Sequence, residues 1–373
     1  MKIFDNNILK RITRKEVLSF EPYIPGKPID ELKRELNLSK VYKLASNENS
    51  IGVSEKAINE IPKILKNLYR YPDSNSFILK EALSKKLEIP EENFLFGNGS
   101  DEIIELMGKT FLSENDEIIM SCHSFVRYKM AADLMGAKTL FARMTESYKI
   151  DLDNMINLVT EKTKIIFISN PNNPTGTFIT EKELINFLQK IPERILVFLD
   201  EAYLEFAYSS NDYPRSLELF KNFPNLLISR TFSKIHALAG LRIGYLIGSK
   251  NIINTINRIK PPFNVNLIAQ NIAKLTLEDN EHIKRSLDMI ETGKNYLYEE
   301  FKKLDIKFIP TSANFIMFDA EKLGGKNLFK KLLLKGVIIR ALDEYDLKNF
   351  ARVSIEQDEE NKKFIEALKE VYK

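Results

Sequence analysis

Cysteine occurs once in 373 residues, at Cys122, so no disulfide can form within the chain. Histidine is almost as scarce. Three histidines (His123, His236, His282) and one thiol leave little for a zinc site, and no metal is expected. No apolar run approaches the ~18 residues of a membrane span. The first residues, MKIFDNNILKRITRKE, have no signal-type apolar stretch and carry acids early, so neither a signal nor a transit peptide is expected. An excess of one charge is missing too: 55 basic residues face 52 acidic ones, a net of +3. That balance argues against a dedicated nucleic-acid or membrane-surface protein. Arginine is the scarce cation, 14 against 41 lysines, so an Arg inside a motif says more than a Lys. Internal repeats, low-complexity tracts and Gly/Ser linkers are also absent.

What is present is globular composition, 44% hydrophobic and 29% charged. A chain of this length buries a large core without staples, and at roughly 150 residues per domain it suggests two domains. A cytoplasmic protein is expected. Short apolar runs at 117–120, 164–169, 195–200, 226–229 and 242–247 read as strands covered on both faces, as in a mainly parallel sheet. Helix-like stretches lie between them, at 101–112 after a Gly-rich turn and at 181–190 after Thr180, a good N-cap. Alternation of the two predicts an α/β domain. The last third changes character, with a long amphipathic helix at 281–304 and helices at 327–335 and 359–372. Strands are expected at 307–309, 314–318, 337–340 and 352–355. We expect a large domain over 45–280 and a smaller α+β domain built from 1–44 and 281–373.

Several nucleotide motifs are near-misses. Gly108-Lys109-Thr110 ends a P-loop pattern, but position 103 is Ile; Gly97-Asn98-Gly99 starts a dinucleotide fingerprint, but position 102 is Glu. Asp200-Glu201 would suit the metal side of an NTPase but has no P-loop partner. Four other segments carry chemistry. Gly97-Asn98-Gly99-Ser100-Asp101 leads into a helix and can offer backbone N–H groups to an anion; the plainer reading is a helix capped by Ser100. Asn170-Pro171-Asn172-Asn173-Pro174-Thr175-Gly176 is a rigid turn at a strand's carboxyl end, where open α/β sheets bind ligands. A β-turn accounts for the prolines and Gly; the doubled Asn suits donation to a ligand oxygen. Asp200-Glu201-Ala202-Tyr203 puts a carboxylate and a phenol at another strand end, or simply an N-cap. Thr231-Phe232-Ser233-Lys234 follows a strand, with Arg242 eight residues on at the start of the next. Lys234 alone would read as a surface lysine; in a desolvated crevice it would be a nucleophile toward a carbonyl.

In this order the Gly-rich turn, NPNNPTG, DEAY, TFSK and Arg resemble the fold-type-I aminotransferases, which use pyridoxal 5'-phosphate. Further segments resemble the histidinol-phosphate aminotransferase family: EPYIPGK from Glu21, KLASNEN from Lys43, RYPD from Arg70, PFNVN from Pro262, KIHALAGLRIGY from Lys234 and ARVS from Ala351. The resemblance covers nearly the whole chain from Tyr23. Ser50 stands where that family usually has Pro, and a local backbone effect is expected there.

The resemblance implies a large domain with a mainly parallel mixed sheet covered by helices, plus a smaller α+β domain. It implies Lys234 as the cofactor-bearing base, Asp200 on the ring nitrogen, and Tyr203 and Asn173 on the ring oxygen. Ser100, Asp101 (through backbone N–H groups), Thr231, Ser233 and Arg242 would hold the phosphate. Phe125 would stack on the ring, where Tyr is common. Tyr71 would reach the neighbouring subunit's phosphate in a homodimer. Tyr23, Asn47, Asn173, Arg340 and Arg352 would bind substrate. The implied reaction moves an amino group from L-glutamate to imidazole-acetol phosphate, giving L-histidinol phosphate and 2-oxoglutarate in histidine biosynthesis. The rivals are an aromatic or broad-range aminotransferase and a threonine-phosphate decarboxylase of the same fold. A regulator carrying such a domain would need an attached DNA-binding domain, and only about 20 residues precede Tyr23.

Overall fold

A computed structural model describes residues 4–18, 20 and 29–373, apart from the Lys322 side chain. Tyr23 therefore lies outside the described residues. The central element is a seven-stranded sheet. Its order is Phe94–Gly97, Gly244–Ile247, Leu226–Thr231, Leu196–Asp200, Thr163–Ser169, Glu117–Ser121 and Lys138–Ala142. Only Gly244–Ile247 runs against its two neighbours; the rest of the sheet is parallel. Alternate residues of the inner strands enter two separate apolar clusters. Ile166, Ile168, Val197 and Leu199 pack into one, and Ile165, Phe167 and Phe198 into the other. Two covered faces explain why these strands are apolar at successive positions.

The expected class, an α/β fold with a mainly parallel mixed sheet, is the one found. Two strands of the sheet escape the sequence pattern. Phe94–Gly97 offers only three apolar residues before its glycine. Lys138–Ala142 is an edge strand with only Ala142 buried, so its apolar run is no longer than Leu140–Ala142. The strand expected from 242 begins at Gly244, because Arg242 has φ +53 and sits in the left-handed region after the turn Ala239–Leu241.

The C-terminal third forms a four-stranded antiparallel sheet in the order Arg340–Ala341, Phe350–Ser354, Phe315–Asp319, Phe308–Ile309. The strand expected over 337–340 is instead two. Val337–Ile338 pairs in parallel with Tyr42–Lys43, and Arg340–Ala341 pairs with Phe350–Ser354. The chain changes sheets at Ile339, which is buried in the apolar cluster between them. The helix Asn280–Lys303 starts at Asp279, whose carboxylate accepts from His282 N–H at 3.2 Å. One apolar cluster gathers residues from Ala57 to Leu277; another takes Leu44 and residues from Ile290 to Leu368. Among the described residues no helix is long and apolar enough to cross a membrane.

Candidate active site

All parallel strands end on one edge of the sheet, and the loops after them line a cavity of about 530 Å³. Its wall includes Ser100, Asp101, Phe125, Asn173, Asp200, Tyr203, Thr231, Ser233, Lys234 and Arg242, with Asn47, Arg340 and Arg352 on the side of the C-terminal sheet. Of the residues that the resemblance implies as cofactor or substrate ligands, only Tyr71 among the described ones lies away from it. Tyr71 is 82% exposed and stacks on Phe263 with ring centroids 4.8 Å apart.

The anion end is built on glycine. The helix runs Ser100–Phe111 with Gly99 at its N-cap, so Ser100 is its first residue and no side chain caps it. The plainer reading of the turn, a helix capped by Ser100, is therefore not what forms. Gly99 has φ +78, and a Cβ there would meet the Arg242 guanidinium. The positive φ favours glycine, and a Cβ would push that guanidinium aside. The free N–H groups of the first turn thus stand beside Thr231, Ser233 and Arg242. Of the acids of this turn, Glu102 is tied back and Asp101 stays on the cavity wall. Glu102 accepts from Asn98 N–H and Asn264 Nδ2, each at 2.6 Å. Asp101 lies 3.4 Å from Arg127 Nε and 3.5 Å from Arg242 Nη2.

Asp200 ends its strand beneath the cavity and is 4% exposed. Tyr128 Oη donates to its Oδ2 at 2.7 Å and Ala202 N–H to its Oδ1 at 3.1 Å. Burial pushes its carboxyl up to about 6, against these two donors. Lys234 Nζ lies 5.5 Å from the centroid of the Tyr203 ring and donates to the Ser46 carbonyl at 3.2 Å. Tyr203 Oη accepts from Asn47 Nδ2 at 3.0 Å.

The doubled asparagine separates into two tasks. Asn172 is internal: Ser124 Oγ donates to it at 2.8 Å, and its amide donates to the His123 carbonyl at 2.9 Å. Asn173 alone faces the cavity, where its Oδ1 accepts from Arg352 Nη1 at 2.5 Å. Arg352 Nη2 donates to the Ala45 carbonyl at 2.7 Å, and Arg340 is its direct partner across the two strands. Arg340 pairs with Glu344 at 2.5 Å.

Tyr128 was not among the candidate site residues. It is one of 14 tyrosines and lies on a helix, so its only sequence signal was its place three residues after Phe125. The set of groups fits a phosphorylated pyridine aldehyde. There is an anion cradle, a buried carboxylate for a ring nitrogen, hydroxyl and amide groups for a ring oxygen, and an amine for the aldehyde.

A family model described as "Aminotransferase class I and II" matches residues 39–368. Histidinol-phosphate aminotransferase of Moorella thermoacetica is 42% identical over 96% of this chain and 92% of its own. The enzyme of the same name from Caldicellulosiruptor saccharolyticus is 42% identical over 96% and 99%. Among solved structures, histidinol-phosphate aminotransferase from Sinorhizobium meliloti in complex with pyridoxal-5'-phosphate superposes with a TM-score of 0.89. It is 23% identical, with 96% and 97% of the two chains covered, and that likeness concerns the fold.

Proposed function

The chain belongs to the class I and II aminotransferases, and we propose that it exchanges an amino group between L-glutamate and imidazole-acetol phosphate, forming L-histidinol phosphate and 2-oxoglutarate. It is a pyridoxal-phosphate-dependent histidinol-phosphate transaminase of histidine biosynthesis. The observation that carries this reading is a single cavity that unites an anion cradle, Asp200, Lys234 and a pair of arginines.

When bound, pyridoxal phosphate supplies an electron sink for the pair released at the substrate's Cα. Asp200 would hold a proton on the ring nitrogen by its charge. Tyr203 and Asn173 would hydrogen-bond the ring oxygen, and Phe125 would pack against the ring. The N–H groups of Ser100 and Asp101, with Thr231, Ser233 and Arg242, would hold the phosphate. Lys234 would carry the cofactor and serve as the base that moves the proton at the substrate's Cα. Arg352 binds glutamate's carboxylate and the phosphate of histidinol phosphate in turn, since a guanidinium offers paired donors to either anion. Arg340 beside it adds to the phosphate site, and Asn47 fixes Tyr203.

We further propose a cytoplasmic homodimer in which Tyr71 serves the neighbouring subunit's phosphate. We also propose a division into a cofactor domain over 45–280 and a smaller domain from both ends of the chain. The two separate apolar clusters support that division. A substrate panel tests the activity. Purified protein is offered histidinol phosphate, phenylalanine, tyrosine and threonine phosphate as amino donors to 2-oxoglutarate. Histidinol phosphate is expected to give the highest kcat/KM. Preference for an aromatic donor, or release of CO₂ from threonine phosphate, would assign the chain to one of its sister activities.

A further inference from the structure

Asp200 has a neighbour to which the roles above give no task. Tyr128 is fully buried on the helix Arg127–Leu134, and its hydroxyl donates to Asp200 Oδ2 at 2.7 Å. With Ala202 N–H on Oδ1, each oxygen of the carboxylate has one donor, so the group is held in a fixed plane. The Tyr128 ring is itself locked. It stacks on Phe167 with centroids 4.8 Å apart and planes at 9°. Phe198 meets it at 6.4 Å and 61°. The cavity-lining Phe125 meets it edge-on at 5.7 Å and 86°. A residue needed only to fill this space would be Phe, because a buried hydroxyl costs stability unless it is paired. Here the hydroxyl donates to Asp200, a carboxylate that lines the cavity.

Resting on the reading of Asp200 as partner of the ring nitrogen, we propose that Tyr128 is a positioning residue whose hydroxyl holds the Asp200 carboxylate and whose ring backs Phe125. One side chain thereby aligns the two groups that address the cofactor ring from its edge and its face. The electrostatics agree in direction. Burial lifts Asp200, and the nearby Asp101 and Glu201 push the same way; the Tyr128 hydroxyl opposes them by stabilising the anion. Burial and the Asp200 charge drive the Tyr128 phenol well above its ordinary 10, so it remains a neutral donor.

The test removes the hydroxyl and keeps the ring. In cofactor-free protein labelled with ¹³C at aspartate carboxyls, the Asp200 signal is identified by its loss in Asp200→Asn. Its titration midpoint is expected near 6 in the parent protein. Tyr128→Phe should move that midpoint up by about one unit or more, the size of a lost hydrogen bond to a charged group. In the loaded enzyme the same variant should lower kcat about tenfold with little change in the KM for glutamate. Phe167→Leu loosens the same packing but keeps the hydroxyl, and should move the midpoint much less than Tyr128→Phe does.

An unmoved midpoint in Tyr128→Phe overturns the proposal, as does an equal shift in Phe167→Leu. Should Tyr128→Phe fail to fold, the parent protein labelled at tyrosine Cζ answers the question. The Tyr128 signal must follow the Asp200 midpoint and lose that response in Asp200→Asn; a flat signal overturns the proposal. Normal turnover by Asp200→Ala alongside a shifted midpoint would refute the ring-nitrogen reading and leave the Tyr128–Asp200 coupling standing. A dead Asp200→Ala with no shift in Tyr128→Phe would do the reverse.

Discussion

Lys234 is one lysine among 41, and what distinguishes it is direction: its amine points back over Tyr203 into the cavity. Lys234→Ala should abolish transamination, and borohydride should no longer fix cofactor to the protein, read by intact mass. A fully active variant would end the aminotransferase reading. The arginine pair permits a finer test. Arg352 is buried and bonded to Asn173 and the Ala45 carbonyl, so its replacement disturbs the anion site and its neighbours together. Arg340 is paired with Glu344 and lies one strand further out. Arg352→Lys should therefore weaken glutamate and histidinol phosphate alike, because an ammonium cannot reproduce the paired donors. Arg340→Ala should cost the phosphate substrate more. Measuring kcat/KM for each half-reaction decides this, and equal losses in Arg340→Ala would remove its phosphate selectivity.

At the scale of elements, legibility followed burial. The strands Thr163–Ser169, Leu196–Asp200 and Leu226–Thr231 were readable because both faces are covered, which forces apolar residues at successive positions. The helix Glu181–Lys190 was readable from its cap, since Thr180 and Glu183 form a reciprocal capping box. Lys138–Ala142 was not, because an edge strand needs no such run. Nor could pattern distinguish Asn172 from Asn173 or reveal Tyr128 under Asp200, since side-chain direction there is set by tertiary packing. Ser50 is a similar case. Its Oγ accepts from Gln357 N–H at 3.2 Å and its carbonyl from Gln357 Nε2 at 2.8 Å, so its side chain, not only its backbone, docks the loop after Asn47. Beside this contact Glu356 is 4% exposed, and burial lifts its carboxyl to about 8, with Glu48 and Glu360 pushing the same way and Ser50 and Lys43 opposing. A carboxyl raised on folding stabilises the protein when protonated. That contribution is whole below the ordinary value of 4.5 and is lost as pH rises toward 8. Glu356→Gln should flatten this dependence and raise stability at pH ~9 by on the order of 1–3 kcal/mol relative to the parent. Thermal unfolding of both proteins at about pH 5 and 9 checks it; an unchanged pH dependence would mean that Glu356 is not the titrating group.

At the scale of the molecule, the proposed role of Tyr71 requires that the surface around it be covered by a second subunit. It stands in the open with Leu65, Leu68, Tyr69, Phe77 and Phe263, all exposed large hydrophobics, and the helices Glu55–Leu65 and Phe77–Leu87 flank it in sequence. In the dimer proposed above, these exposed apolar side chains would be covered by the second subunit. A self-complementary contact would carry each Tyr71 to the other subunit, as a two-fold dimer requires. The bland alternative is a surface turn made by Pro72 and Asp73, and Asp73 does accept from Asn75 and Phe77 N–H at 2.9 and 2.7 Å. That turn explains the backbone of the segment but not an exposed phenol stacked on Phe263. A phenol donating to a phosphate makes a charge-assisted bond worth about 1.5–3 kcal/mol. Tyr71→Phe should then weaken cofactor retention by about tenfold or more, since each 1.4 kcal/mol is one decade. Mixing subunits is the stricter test. Lys234→Ala and Tyr71→Ala proteins should each be poorly active alone. In a mixed dimer with shared sites, one site carries both lesions and the other carries neither. Activity should therefore return on dissociation and re-association, toward half the parent value per mixed dimer. Mixed dimers that form but stay inactive would show that Tyr71 serves its own chain or no site at all.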